Sequence, residues 1–467
     1  MQMTDFHVVT GNGENILYHV PTSTIICITD ELAVQIKEGV MSKTTLKNLL
    51  NLLADEKEFE IPEYKINEGP RLGNLVFLTT EKCNLRCKYC YQNESTHYHS
   101  NTESGFALKD YLNTLQFILK KYPMGVDNIK FFGGEPLLEI KIIKEFVENC
   151  TKRFSEMRLK LPKFSIMTNA TLFTEEIIGF FNEYNFGVGI SIDGPKAIND
   201  LARVSAEGFS VFDRVKESLK MMKGKRNFTV GIEATVHRGH ILNYKKGVAR
   251  KWLEELIELG VDDVMFVPVE SDNPGLMLDE SMKETYQSIC KEMVDIWFEE
   301  LIKDDCKLVS WNIINMINGI TSKKFIEDCS AGRNSLLATS RGDIYPCQLF
   351  YDSKGYRMGS INSNSEENFE LTDEIKKVSN VIRLETEECK KCHVRNLCEA
   401  WCKGINYSVT GNILATLQPR CWMTKANFDG VISNLVSLKN QPEKYKIFVT
   451  NIKSIILKYA KTNIMSQ

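Results

Sequence analysis

The sequence predicts an α/β protein built on a parallel sheet, and three observations carry that prediction. From about residue 71 to residue 269, apolar runs of strand length alternate with amphipathic helical patterns, and strand–helix repeats need crossover connections, hence parallel strands. Six such runs occur, at 75–78, 129–132, 164–168, 187–192, 228–236 and 264–269; six strands are too few for a closed eight-stranded barrel, so a partial (β/α)6 barrel is expected. The composition is ordinary for globular domains: 467 residues, 43% hydrophobic and 25% charged, enough chain for several cores.

Several classes are disfavoured at once. A formal net charge of −3 argues for neither nucleic acid nor an anionic membrane as partner. No apolar run reaches transmembrane length, and residues 1–15 lack the basic and apolar segments of a signal peptide. Fourteen cysteines without an export signal point to a reducing cytoplasm, where clustered cysteines bind metal more often than they form disulfides.

Taken in order, residues 6–10, 16–20 and 24–29 read as three strands, the first two separated by the turn Gly11-Asn-Gly-Glu-Asn15. Asp30 is the expected cap of a helix to residue 37, and 44–54 is a second helix with Leu46, Leu49, Leu50 and Leu53 on one face. The barrel helices are expected at 106–122, 138–154, 175–183, 211–222 and 244–259. A helix over 282–303 leads to a stretch where cysteines are dense and the strand–helix rhythm stops. After Cys421, one helix presents Phe428, Ile432, Leu435 and Val436, residues 440–443 break it, and 447–459 forms the last helix. These changes divide the chain into 1–68, 69–304, 305–425 and 426–467.

The chemistry is concentrated in cysteines. Cys83-Asn-Leu-Arg-Cys87-Lys-Tyr89-Cys90 directly follows the first barrel strand. Such a loop presents three sulfurs to three corners of a [4Fe–4S] cube and leaves the fourth iron open, the position that chemistry on a bound substrate requires. A zinc site short of one ligand, or cysteines packed as small hydrophobes, are the plainer readings. Gly133-Gly134-Glu135-Pro136 follows the second strand, where glycines permit close backbone approach and a carboxylate can pair with an ammonium; a Gly-Gly turn before a helix-start proline is the plainer alternative. Thr168-Asn169 ends the third strand and Ser191-Ile-Asp193-Gly194 the fourth, with Arg203 beyond and Val269 after the sixth. Ligands of parallel α/β folds sit beyond the carboxyl ends of the strands. A second constellation runs Cys329-x12-Gly342-x4-Cys347, Cys389-x2-Cys392-x5-Cys398-x3-Cys402, then Cys421. Gly342-Asp343 is expected to turn a hairpin with Tyr345 and Pro346 leading into Cys347; a pair of zinc knuckles is the alternative.

The first loop resembles the signature of the radical S-adenosylmethionine (SAM) enzymes, and the second constellation resembles their SPASM extension in every spacing. The resemblance implies the partial barrel, a SAM-binding cluster on Cys83, Cys87 and Cys90, and SAM contacts from Tyr89, Gly133, Gly134, Glu135, Pro136, Thr168, Asn169, Ser191, Asp193, Arg203 and Val269. A surface salt bridge competes for Arg203, and core packing for Val269. It further implies two auxiliary [4Fe–4S] clusters, three clusters in all. Cys389, Cys392, Cys398 and Cys421 would ligate one fully. Cys329, Cys347 and Cys402 would hold the other, leaving an iron open to a substrate thiolate unless Cys306 fills the place. Cys27, Cys150 and Cys290 lie outside both patterns. The N-terminal strands and helices resemble the winged-helix peptide-recognition lobe of enzymes that modify ribosomal peptides, although two helices are visible where three are expected; a small structural lobe is the alternative.

In sulfatase-maturing relatives an aspartate follows the second SPASM cysteine, whereas Gln348 follows Cys347 here. The pattern therefore resembles the thioether-forming maturases of ranthipeptide and sactipeptide type. The expected partners are a precursor peptide, its leader on the N-terminal lobe and its cysteines at the open auxiliary cluster, and a reducing electron donor such as flavodoxin or ferredoxin. Carbon–carbon cross-linking, epimerisation and oxidation of a small substrate are alternatives within the class; a zinc-bearing scaffold is the non-enzymatic one.

Overall fold

The structure is a computed structural model describing residues 3–11, 13–90, 105–271, 273–362, 369 and 371–462. It opens with an antiparallel sheet of β1 (Phe6–Gly11), β2 (Glu14–His19) and β3 (Thr24–Ile28), in that spatial order. Two helices, Asp30–Glu38 and Lys43–Leu53, close a small core of Phe6, Leu17, Ile36, Leu49 and Leu53 against it. The expected cap is displaced by one residue: the Thr29 hydroxyl accepts from the Leu32 amide. Asp30 then falls in the first turn, where its charge suits the helix dipole. Gly39, at φ 69°, ends this helix in the left-handed conformation.

The main sheet contains β4 (Leu72–Thr80), β5 (Val126–Gly133), β6 (Lys163–Thr168), β7 (Gly187–Ser191), β8 (Thr229–Val236) and β9 (Asp263–Pro268), parallel neighbours in chain order. The crossovers carry helices Leu108–Lys121, Ile140–Glu156, Glu175–Glu183, Val211–Met222 and Val248–Glu258. The core explains the order. Phe77, fully buried on β4, meets the rings of Phe106, Tyr111, Phe131 and Phe146, so strands and crossover helices share one aromatic cluster. Two short helices, Lys196–Ala202 and Arg238–Leu242, stand at the carboxyl ends of β7 and β8. Neither is long enough to show an apolar period in sequence.

The rhythm does not stop after β9. Helix Lys283–Leu301 is followed by Trp311–Ser322, which the sequence reading passed over. Its β-branched isoleucines and Gly319 are weak helix formers, and burial of Ile313, Ile314, Ile317 and Ile320 decides the matter. Strand β10 (Ser335–Thr339) then pairs in parallel with β4, and β11 (Asp343–Tyr345) and β12 (Gly359–Ser360) follow antiparallel. The expected turn is present, with Gly342 at φ 84°. Among the described residues the sheet is thus nine-stranded, ordered β12-β11-β10-β4-β5-β6-β7-β8-β9. Helix Gln418–Lys439 lies against Lys283–Leu301, where Gly430 leaves room for Val294, and Pro442–Thr462 ends the described chain. No helix among the described residues is long and apolar enough to cross a membrane.

Truncating Phe77 to Ala should remove the ring that joins these layers. A loss of about 3–5 kcal/mol is expected, read as a lowered unfolding midpoint in urea with the native far-UV spectrum retained before the transition.

Candidate active site

The cysteine loop has little regular structure of its own, and its shape is imposed by neighbours. The Arg86 amide donates to the Val204 carbonyl (2.6 Å), the Lys88 amide to that of Ala202 (2.9 Å), and the Cys90 amide to that of Cys87 (3.1 Å). The thiols of Cys83, Cys87 and Cys90 act on one another electrostatically. Burial raises Cys83, and pushes Cys87 up to about 12 against the opposing pull of Arg203.

The glycines after β5 do what close approach requires, but the approaching group is the protein itself. Gly133, at φ 148°, has no room for a Cβ beside the Thr80 carbonyl oxygen. A Cβ on Gly134 would collide with the Lys82 carbonyl. Both amides on this turn reach across: Gly134 to Thr80 (2.7 Å) and Glu135 to Lys82 (2.8 Å). Pro136 opens a 3-10 turn, Pro136–Glu139, and Glu135 caps it by accepting from the Leu137 amide (2.9 Å).

Glu135 is fully buried and also accepts from the Thr168 hydroxyl (2.7 Å) and the Asn169 amide (2.7 Å). It therefore ties the ends of β5 and β6 together. Burial outweighs these donors and pushes its carboxyl up to about 7. Asn169 continues the network, donating to Asn84 (2.8 Å) and lying 3.9 Å from the Cys83 sulfur.

Asp193 is the second buried node. It accepts from the Tyr89 hydroxyl (2.6 Å), from Arg203 Nε (3.0 Å) and from the Thr235 amide (3.0 Å), and Arg203 Nη2 lies 2.9 Å from it. Arg203 also lies over the Tyr89 ring. The surface salt bridge weighed for Arg203 is thus replaced by a buried one, because the cysteine loop folds back over residues 202–206. His237 and His240, unremarked in sequence, complete this end: His240 Nε2 is 2.8 Å from the Asp193 carbonyl oxygen, and His237 caps the helix after β8. Burial pushes the His237 imidazole down to about 4. Ser191 faces the Met167 sulfur at 4.0 Å, and Val269 is buried with its amide on the Val236 carbonyl (2.8 Å).

The later cysteines separate into two groups. Cys329, Cys347 and Cys402 act on one another electrostatically, and Cys389, Cys392, Cys398 and Cys421 do likewise. Burial pushes Cys329 and Cys421 up to about 11 and Cys389 to about 12. The groups are held by residues that sequence reasoning missed. Arg383, fully buried, pairs with Asp328 beside Cys329 and donates to the carbonyls of Ile326 (2.7 Å) and Arg395 (2.6 Å). Arg420, beside Cys421, grips both oxygens of Glu270 (2.6 and 3.1 Å). Tyr351, on the turn after Cys347, donates to Glu81 (2.6 Å) two residues before Cys83. Adjacency to cysteine was a signal only for Asp328 and Arg420. Cys306 lies instead among Glu300, Lys303, Asp305 and Lys458, so it is not placed to complete the Cys329 group. Cys150 and Cys290 are buried and Cys27 is exposed. A cavity of about 320 Å³ reaches Cys329 between Trp311, Asn315, Asp328 and Glu399; burial pushes the Glu399 carboxyl up to about 7.

This donor set suits iron–sulfur clusters. All fourteen cysteines are free of disulfides, and ten fall into groups of three, three and four whose thiols need a metal to draw off their protons. Residues 77–244 match the radical SAM superfamily.

Residues 77–244 of this chain form a radical SAM domain.

A cysteine-type anaerobic sulfatase-maturating enzyme of Clostridium perfringens is 27% identical over 391 residues, covering 79% of this chain and 99% of that one. The radical SAM cyclopropyl synthase TigE of Paramaledivibacter caminithermalis is 23% identical, covering 77% of this chain and 74% of that protein. Among solved structures, native anSMEcpe with bound AdoMet superposes with a TM-score of 0.64 at 22% identity, over 79% of this chain and 99% of that chain. Streptococcus suis SuiB does so at 0.50 and 14%, over 88% and 97%. This radical SAM chain therefore shares their fold, and SAM with a [4Fe–4S] cluster is its expected cofactor set.

Two outcomes check the two nodes of this radical SAM site. Asp193→Asn should leave Arg203 buried without its counter-charge and cost about 3–5 kcal/mol, seen as a lower unfolding midpoint. Glu135 has a folded pKa of about 7 against 4.5 for the free group. Its contribution to stability is thus complete below pH 4.5 and is lost as pH rises through about 7. Between pH 4.5 and about 7 the wild-type melting temperature should fall relative to Glu135→Gln; parallel profiles would refute the assignment.

Proposed function

We propose that this radical SAM enzyme modifies a ribosomally made peptide, joining a peptide cysteine sulfur to a carbon as a thioether. The observation that carries the reading is the paired arrangement of cysteines: the Cys83 loop at the carboxyl end of β4, and the Cys347 turn tied to it through Tyr351 and Glu81. One group serves a carbon radical, while the second, short of a fourth cysteine, is suited to presenting a thiol.

In this reading Cys83, Cys87 and Cys90 hold the SAM cluster, Cys329, Cys347 and Cys402 one auxiliary cluster, and Cys389, Cys392, Cys398 and Cys421 another. When bound, SAM and the clusters supply the one-electron chemistry that generates a carbon radical and takes up the surplus electron. The chain's own residues position and exclude. The Asp193–Tyr89–Arg203 node holds the cysteine loop shut against the ends of β7 and β8. Glu135 keeps the ends of β5 and β6 in register, leaving the backbone of residues 133–136 beside the loop for the methionyl end of SAM. Gln348, after Cys347, carries no basic group, which weighs against a proton acceptor at that place.

The N-terminal sheet offers a place for the leader peptide. β2 is its central strand, and β1 is backed by helix Gln418–Lys439, where His7 meets Asp429 at 2.9 Å. β3 is the remaining edge, and addition of a strand there would supply backbone hydrogen bonds. An electron donor of flavodoxin or ferredoxin type completes the proposed partners.

A second reading is formylglycine formation, favoured by likeness to the cysteine-type sulfatase maturase. One experiment separates the two. Reconstituted enzyme, SAM, a strong reductant and a cysteine-containing precursor should give deoxyadenosine and a peptide lighter by two hydrogens per cross-link, with fewer alkylatable thiols. Loss of sulfur and an aldehyde trapped by a hydrazine would establish the second reading. Altered mass with all thiols intact would point to carbon–carbon cross-linking and remove the thioether claim. Cys83→Ala should abolish deoxyadenosine in either case.

A further inference from the structure

We propose that His7, His393 and Asp429 form a binding site for a single divalent first-row transition-metal ion, distinct from the cysteine groups. The three residues come from separate parts of the chain: β1, the turn between Cys392 and Cys398, and helix Gln418–Lys439. One nitrogen from each ring and one carboxylate oxygen lie within 4.8 Å of one another. His7 Nε2 is 2.9 Å from Asp429 Oδ1, and the two imidazoles face each other with centroids 3.6 Å apart.

Hydrogen bonding alone leaves this cluster incomplete. It satisfies His7 and Asp429, but His393 Nε2 is buried and has no hydrogen-bond partner among the described residues. A buried polar nitrogen without a partner is costly. The neighbouring surface offers no relief, since the Phe428 ring packs against both imidazoles, at 6.0 Å from His7 and 5.6 Å from His393. An ion shared by the three side chains would use that nitrogen. Two imidazoles and one carboxylate are a ligand set for zinc, ferrous iron or cobalt, with a remaining position for water. At metal–nitrogen bonds of about 2.0–2.1 Å, tetrahedral ligands stand about 3.3 Å apart. The three side chains are half-buried, so side-chain rotation can close the remaining gap. Two cations oppose the ion: Lys291 Nζ lies 3.8 Å from Asp429 Oδ2 but is about half exposed, where such pairs contribute little, and Lys425 acts on His393.

The ion would fasten the N-terminal sheet to the cysteine-bearing turn and to the helix that begins near Cys421. That is a structural role, independent of the reaction proposed above.

The test uses reconstituted holoenzyme, with its cysteines already filled by iron and sulfide. After exposure to zinc chloride and desalting, elemental analysis should find about one zinc per chain beyond the iron. Asp429→Asn and His7→Gln should retain at least tenfold less zinc at unchanged iron content and unchanged absorption near ~400 nm. Added zinc should raise the melting temperature of the wild type and not of either variant. Failure of the wild type to retain zinc overturns the proposal whatever the variants do, as does equal retention in all three proteins. The outcome is separate from thioether chemistry, because neither zinc retention nor melting requires a peptide substrate.

Discussion

The close approach of two backbone segments governs the site. The turn after β5 can lie against residues 80–82 because Gly133 and Gly134 have no side chains. That contact aims the chain out of β4 into the cysteine loop. A loop carrying three thiols in eight residues has little apolar surface with which to hold itself, so its conformation is borrowed from rigid neighbours. Residues 202–206 bind its backbone, Asp193 binds its tyrosine, and Asn169 reaches its first cysteine.

The same economy of borrowed rigidity extends to the later cysteines. Most of them lie outside the long elements, Cys421 on helix Gln418–Lys439 excepted, and strand β10 anchors their start to β4 itself. Arg383 joins the segment before Cys329 to the turn after Cys392 through the Asp328 pair and two backbone carbonyls. A guanidinium with five donors suits this task, since it can satisfy several acceptors from one buried position. The Tyr351–Glu81 bond then connects the two cysteine regions directly. Buried polar nodes of this kind specify one arrangement among the many that an apolar core alone would permit.

Much of this was legible in the linear chain, and the misses have physical causes. The six parallel strands β4 to β9 were readable, because strands buried on both faces are continuous apolar runs, whereas the parallel β10 was not. The cysteine spacings were readable because ligand chemistry restricts residue type. The cap at Thr29 was misplaced by one residue, as threonine and aspartate both serve that role. Helix Trp311–Ser322 was missed because its residues have low intrinsic preference and packing overrode it. The glycines of residues 133–134 were correctly seen as a site of close approach, but sequence carries no sign of which backbone approaches. Arg203 was readable as a cation, while its partner Asp193 was visible only as a neighbour at the end of another strand.

By itself the sequence determined the alternating architecture and the spacing of the clustered cysteines, because periodic burial and close cysteine spacing each leave a local mark. Tertiary structure alone decided which acids are buried with a partner and that β10 would join the edge of β4. Those outcomes depend on contacts that carry no local mark in the chain, and the cost of burying a charge or an amide is set by whatever the fold brings against it.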